Sequence, residues 1–371
     1  SSGSASSFLD HIIVHYTFGD NFALLWYEIE RMPELFCSAI SYYGVYFMKD
    51  QLFCKGFTWG WCGKRGDYQK EEARISMQKM HDNGCDWIGI CFYALQDRYY
   101  STKIYYDYET TPADKDIATA ISMARSLGMK VCLKPVVNCA DDVWRARISF
   151  PIEQSAEKYW REWFKSYTNF ILHYAEIAQD NHCEMFCIGC EMVGTEYQYD
   201  RWVQLIEKVR SVYTGLLIYN LQHNSLEECK WLDKLDVVGI SAYYPVGRNN
   251  SNNSAEAMCR NWEKEVDRLE QLSMEIKKPI IFIEIGCQSV EGASISPWNA
   301  EGNIVSQKEQ ADFYESAFRT FYHRKWFAGY FWWDWRAVLY DLEQAKDNKD
   351  FNLYGKEAEL VLRNWYTKAD R

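Results

Sequence analysis

The chain has 371 residues, room for one large domain or two of ordinary size. Hydrophobic residues make up 48% and charged residues 25%, a globular composition with enough apolar material for a sizeable core. The net charge is −11 and no run of Lys or Arg stands out, which disfavours nucleic acid, anionic membranes and polyanionic substrates and leaves a neutral substrate as the best fit.

No apolar stretch approaches the roughly 18–20 residues that a membrane-spanning helix needs, so no membrane association is expected. The opening SSGSASS (1–7) reads as a segment left by expression and is set aside. The 13 cysteines are an odd number, scattered, and many sit in strand-like runs: Cys54, Cys91, Cys132 and Cys187. Buried free thiols in a reducing cytoplasm are the simplest reading. A secreted origin stays open, because residues 1–7 can stand in place of a native leader. The 16 Trp, 27 Tyr and 19 Phe exceed ordinary usage, and the Trp surplus predicts a groove for flat, apolar ligand faces.

Residues 8–50 are aromatic-rich and are expected to form an extension packed on the rest of the molecule. From 51 to 371 one rhythm holds, with no linker, no repeat and no low-complexity tract beyond the polar GRNNSNNS (247–254). Short apolar runs alternate with longer amphipathic ones. The strand candidates are 53–59, 86–93, 129–137, 184–190, 215–221, 236–244, 278–286 and 328–335. Helix signals lie between them. Pro112 and early acidic residues precede Ile117, Ile121 and Ala124 at helical spacing, and Gly128 marks the stop. Ser155 opens a segment whose apolar face runs Trp160, Phe164, Tyr167, Ile171 and Tyr174. Asn253 and Ser254 open another. Ser306 with Glu309 spells a capping box, and a last helix follows Gly355. Strands apolar on both faces, each followed by a helix, imply parallel pairing with helical crossovers. Eight such units predict a single α/β domain of the (β/α)8 TIM-barrel type. A doubly wound open sheet is the runner-up, but no Gly-rich phosphate loop follows the first strand.

In such a barrel, chemistry sits at the C-terminal strand ends. FCIGCE (186–191) runs apolar until Glu191 at the end of the fourth strand, and PIIFIE (279–284) does the same at Glu284 on the seventh. One glutamate there can be structural, paired with an arginine; two point to glycoside hydrolysis. One carboxylic acid protonates the departing oxygen while the other attacks the anomeric carbon or activates water. Strand alternation places Ile280 and Phe282 on the face of Glu284, and Cys187 and Gly189 on the face of Glu191, which would leave small neighbours beneath a sugar ring. Tyr243 closes the sixth strand and is placed to donate to the nucleophile. Lys134 and Asn138 close the third and are candidates for sugar hydroxyls. Trp59 closes the first, and Trp333 and Trp335 the eighth, where indole faces can stack on a pyranose. The segment HCEMFCIGC offers His182, Cys183, Cys187 and Cys190 as a zinc alternative, but residues three apart on a strand face opposite sides, so no metal is expected.

The chain resembles glycoside hydrolase family 113, the β-mannanase-like branch of the retaining (β/α)8 glycosidases. The matching stretches are KGFTWGW (55–61), LKPVVNCADDVWRARI (133–148), FCIGCEM (186–192), WVQLIEKVRSVYTGLLIY (202–219), LDKLDVVGISAYYP (232–245), FIEIGCQSVEGASISPWN (282–299), GYFWWDW (329–335) and GKEAELVLRNWY (355–366). The resemblance implies Glu191 as general acid/base, Glu284 as nucleophile, retention through a covalent glycosyl-enzyme, and no metal or organic cofactor. It implies β-1,4-mannan or mannooligosaccharides as substrate. Cys190 stands where the family pattern has Thr, Val136 where it has His, and Ser241 where it has an acidic residue, while 219–224 lacks a Trp. These positions flank the sugar-binding ones. Xylan or glucan as substrate, transglycosylation, and a weakly catalytic carbohydrate-binding barrel are the alternatives.

Overall fold

The structure is a computed structural model that describes residues 52–150, 156–249, 252–299 and 301–368. The proposed extension at 8–50 and the cap at Ser155 lie outside the described residues. Eight strands close into a barrel: β1 (Cys54–Trp59), β2 (Trp87–Gln96), β3 (Lys130–Cys139), β4 (Met185–Cys190), β5 (Leu216–Gln222), β6 (Val237–Ser241), β7 (Ile280–Ile285) and β8 (Phe327–Trp335). Each pairs in parallel with its neighbours, and β1 closes the ring by pairing with both β2 and β8. The two-residue strand Ile104–Tyr105 adds an antiparallel clip to the end of β2.

The helical layer comprises α1 (Glu71–Asp82), α2 (Asp114–Ser126), α3 (Ala156–Asp180), the short α4 (Val193–Glu196), α5 (Tyr199–Arg210), α6 (Ala255–Ile276), α7 (Gln307–Phe321) and α8 (Glu357–Tyr366). One crossover departs from the predicted alternation: between β5 and β6 only a 3-10 turn, Leu232–Lys234, is formed. The preceding residue, Trp231, fills the space a helix would take by stacking on Trp202 of α5, with centroids 4.7 Å apart. The Ser306 cap forms, its hydroxyl accepting from the Glu309 N–H. The Glu309 carboxylate does not turn back on the cap. It accepts instead from the N–H groups of Gly292 and Ser294, both at 2.9 Å, and so fastens the loop after β7.

The barrel interior has two storeys. Among the described residues the lower one draws side chains from all eight strands and none from the helices, including Cys54, Trp87, Cys132, Cys187, Ile281, Ile283 and Phe331. Phe331 reaches across the centre, and a Cβ at Gly56 would meet its ring at 2.8 Å. Close packing of this kind makes the floor rigid. The upper storey is thinner: Cys91, Val136 and Cys190, flanked by Trp61, Tyr93 and Trp333. Above the floor the barrel opens into a cavity.

Candidate active site

The cavity holds about 540 Å³ and lies at the C-terminal mouth, where Glu191 and Glu284 both line it. That volume suits a small number of sugar rings. Its two long walls differ. Trp61, Cys91, Val136 and Trp333 make one wall apolar; Gln222, His223, Asn224 and Trp298 make the other mostly polar.

Glu284 is 6% exposed and gripped from three sides. The Lys134 ammonium forms an ion pair with Oε1, the Cys190 thiol donates to the same oxygen at 3.4 Å, and the Tyr243 hydroxyl donates to Oε2 at 3.3 Å. Lys134 also donates to Asn220 Oδ1 at 3.2 Å, and Asn220 Nδ2 donates to Ser241 Oγ at 2.6 Å. Burial opposes the ammonium, but the acidic groups that face it, Glu284 among them, outweigh burial and hold the Lys134 pKa well above the usual lysine range. Burial also pushes the Cys190 thiol far up, so the thiol is neutral and Glu284 is the charge that Lys134 answers.

Glu191 is 8% exposed and sits just past the end of β4 with φ +51°, in the left-handed region. A side chain with a Cβ adopts that conformation only when its surroundings hold it there. Its N–H donates to the Asn220 carbonyl at 2.7 Å. Its Oε2 accepts from Arg145 Nη1 at 3.1 Å and Trp144 Nε1 at 3.3 Å. Burial, then the charge of Glu284, push the Glu191 carboxyl above its ordinary value; Arg145 pulls the other way without cancelling them.

Alternation along the strands placed Cys187 on the interior face correctly but misplaced Gly189, Ile280 and Phe282, for one reason. Between Cys187 and Cys190 β4 has one residue more than β5 opposite, and near Glu284 β7 has one more than both β6 and β8. Such one-residue bulges reverse side-chain parity and re-aim the residues beyond them. Ile280 and Phe282 therefore pack outward in the helical layer, while Ile281 and Ile283 face the barrel interior. Cys187 lies in the lower storey, and Gly189 does not underlie a sugar at all. A Cβ there would meet the Tyr219 ring at 2.7 Å and the Tyr167 hydroxyl at 2.8 Å.

The predicted tryptophans divide. Trp333 lines the cavity, its ring 5.2 Å from that of Trp61. Trp59 and Trp335 do not. Both are fully buried, and both indole N–H groups donate to Ser76 of α1. From Phe57↔Trp332 to Trp59↔Trp335, β8 advances three residues against two on β1. That extra residue turns Trp335 outward although it lies two positions after Trp333. Much of the Trp surplus serves packing in this way: Trp163, Trp202, Trp231, Trp262 and Trp332 are also fully buried. Lys134 and Asn138 are reassigned as well. Lys134 is 1% exposed and faces Glu284. Asn138 Oδ1 accepts from Arg145 Nε at 3.2 Å and Nη2 at 2.8 Å, and so aims the guanidinium at Glu191. Tyr243 meets Glu284 as expected. Cys183, Cys187 and Cys190 do not converge, and among the described residues no group of three or more His, Cys, Asp or Glu side chains is placed to hold a metal ion.

Trp61, Trp144, Arg145, His223, Trp298 and Phe351 line the cavity without having been singled out from sequence. Trp144, Arg145 and His223 sit just past the C-terminal ends of β3 and β5, a position that could have marked them. Burial lowers the His223 imidazole to about 4, so it is neutral near pH 7. Its Nδ1 lies 3.2 Å from the Ser241 carbonyl, which can only accept. The Nδ1–H is therefore the donor, and Nε2 is left as an acceptor.

Two carboxyl groups in unlike settings, presented from the fourth and seventh strands over an indole-walled cavity, can divide acid and nucleophile work on a glycosidic bond. A barrel built this way falls among the (β/α)8 glycoside hydrolases. The chain belongs to Glycoside Hydrolase Family 113, whose family model matches residues 57–356. A GH113 β-1,4-mannanase solved as a complex is 37% identical with a TM-score of 0.79, covering 85% of this chain and 99% of that one. The GH113 β-mannanase AaManA from Alicyclobacillus acidocaldarius, in complex with ManMIm, is 35% identical with a TM-score of 0.78, covering 86% and 98%. A β-glucuronidase from Faecalibacterium prausnitzii shares the fold alone, at 17% identity and a TM-score of 0.56, over 86% of this chain and 49% of that one. No curated protein sequence matches the chain.

Proposed function

We propose that this glycoside hydrolase cleaves β-1,4-mannosidic bonds in mannan or mannooligosaccharides with retention of configuration, Glu284 acting as nucleophile and Glu191 as acid/base. The observation that carries the role assignment is the contrast between the two carboxyls. Glu284 faces a buried ammonium, a phenol and a thiol, all donors. Glu191 is the group whose pKa burial and Glu284 push up. The mannanase relatives support the substrate.

In the first step a Glu284 oxygen bonds to the anomeric carbon as the glycosidic C–O bond breaks, and Glu191 gives its proton to the departing oxygen. In the second, water attacks the anomeric carbon, Glu191 takes the water's proton, and the bond to Glu284 breaks. Two inversions leave the configuration unchanged. Trp333 and Trp61 offer the stacking faces, and the neutral His223 Nε2 offers an acceptor for a sugar hydroxyl.

Reducing-sugar release from mannan, xylan and glucan in parallel tests the substrate, with mannan expected to lead. Proton NMR of the first product, before mutarotation, is expected to show the β-anomer. The α-anomer first would overturn the role of Glu284, and release from xylan or glucan alone would overturn the substrate.

A further inference from the structure

Behind the wall that carries Glu191, a buried carboxyl and a phenol sit outside the cavity and outside the chemistry above. Glu196 is 1% exposed and Tyr219 fully buried. The Tyr219 hydroxyl donates to Glu196 Oε1 at 2.8 Å. The hydroxyl oxygen in turn accepts the Met192 N–H at 2.9 Å. Met192 directly succeeds Glu191, so the N–H groups on either side of the Glu191 Cα–C unit are both held by β5: one by the Asn220 carbonyl, the other by Tyr219.

The anchor itself is fixed. Trp202 Nε1 donates to the Thr195 carbonyl and Trp231 Nε1 to the Glu196 carbonyl, both at 3.0 Å. The Tyr219 ring packs against Trp202 and Trp231 at 5.3 and 5.0 Å, and the bare Cα of Gly189 admits its edge. A phenol with one proton can donate to only one partner. Because Glu196 takes that proton, a lone pair of the hydroxyl is turned to the Met192 N–H.

We infer that Tyr219 and Glu196 are positioning residues that hold Glu191 in its left-handed backbone conformation and so aim its carboxyl for proton transfer. The inference rests on Glu191 being the acid/base. Removing the Tyr219 oxygen strands the Met192 N–H and frees the 191–192 peptide to relax. A misaimed Glu191 harms protonation of the departing oxygen in the first step and activation of water in the second, not attack by Glu284 and not sugar binding.

The test uses the full chain on two aryl β-mannobiosides, one with a dinitrophenyl leaving group that needs no proton and one with a phenyl group that does. Tyr219→Phe keeps the ring and is expected to lower kcat/KM, which reports the first step alone, by roughly tenfold on the phenyl substrate, the scale of one lost positioning hydrogen bond. On the dinitrophenyl substrate the loss in kcat/KM is expected to stay under about threefold. Glu196→Leu is expected to give the same asymmetry, and Glu196→Gln, which keeps an acceptor oxygen, a smaller one. An equal loss on both substrates, or none, for both Tyr219→Phe and Glu196→Leu would overturn the inference. Glu191→Gln run beside them separates the two failures: if it too shows no dependence on the leaving group, the acid/base assignment falls, whereas if it alone shows that dependence, only the positioning role falls.

Discussion

The ends of β4 and β7 present the same residue type over the same cavity, yet they solve opposite problems. At the end of β7 the backbone is extended strand and the control lies in the side-chain contacts: Lys134, Tyr243 and Cys190 all point donors at Glu284. At the end of β4 much of the control lies in the backbone, which turns left-handed at Glu191 and is pinned by β5 on both sides. Glu191's carboxyl meets two donors on one oxygen, and burial outweighs them. A nucleophile needs a stable negative charge in a fixed place. An acid/base must change charge twice in each cycle, and a partner that stabilised only one state would stall it.

The largest break in that comparison is Glu284→Gln. It removes the oxygen proposed to attack, so turnover is expected to fall by several orders of magnitude whatever the leaving group. A residual rate that improves with a better leaving group would mean that attack does not come from Glu284.

Lys134→Met tests whether the donors at β7 matter as charge. Breaking a buried pair by removing one partner leaves an uncompensated charge that costs about 3–5 kcal/mol. Denaturant unfolding of Lys134→Met is expected to show a loss of stability of that order. Unchanged stability would show that Lys134 does not answer a charge on Glu284.

The β4 side is sharpened by the pH dependence of stability. Burial raises the Glu196 carboxyl from 4.5 to about 7, with Tyr219 and Ser225 opposing and Glu228 and Glu191 adding to it. Between those values the folded chain binds more protons here than the unfolded chain, so the native state loses about 3 kcal/mol from this group as pH rises through the window. Glu196→Gln does not titrate. Its stability relative to the parent, followed by denaturant unfolding from pH 4.5 to 8, is expected to rise by that order. A flat difference would mean that Glu196 is not buried against its charge.

The smallest expected effect concerns the cavity wall between the two ends. Trp333→Ala is expected to weaken oligosaccharide binding by about 1–3 kcal/mol, the scale of other aromatic stacking losses. Calorimetric titration with mannotetraose measures it. Unchanged affinity together with a large fall in Tm would make Trp333 a packing residue, like Trp332 beside it.

The eight strands and the two carboxylates were legible because each rests on a local pattern. An apolar run such as Phe186–Cys190 that stops at a charge marks a buried strand and its mouth without reference to any other part of the chain. The aromatic positions were not legible in the same way. Trp59, Trp333 and Trp335 have the same composition and the same placement at strand ends, but only Trp333 faces the cavity. Lys134 read as a sugar ligand because nothing in its own segment reveals a partner 150 residues away.

The sequence by itself determined the order of the strands, the barrel class, and the identity and strand-end placement of Glu191 and Glu284, because burial periodicity and the apolar-to-charged boundary are properties of contiguous residues. Tertiary structure alone decided which way each side chain points after the bulges in β4, β7 and β8. A bulge is a mismatch of register between two strands, so one strand's sequence does not contain it. The same holds for the Asn138–Arg145–Glu191 and Ser241–Asn220–Lys134–Glu284 chains of contact: their geometry exists only once the neighbouring strands have closed the ring.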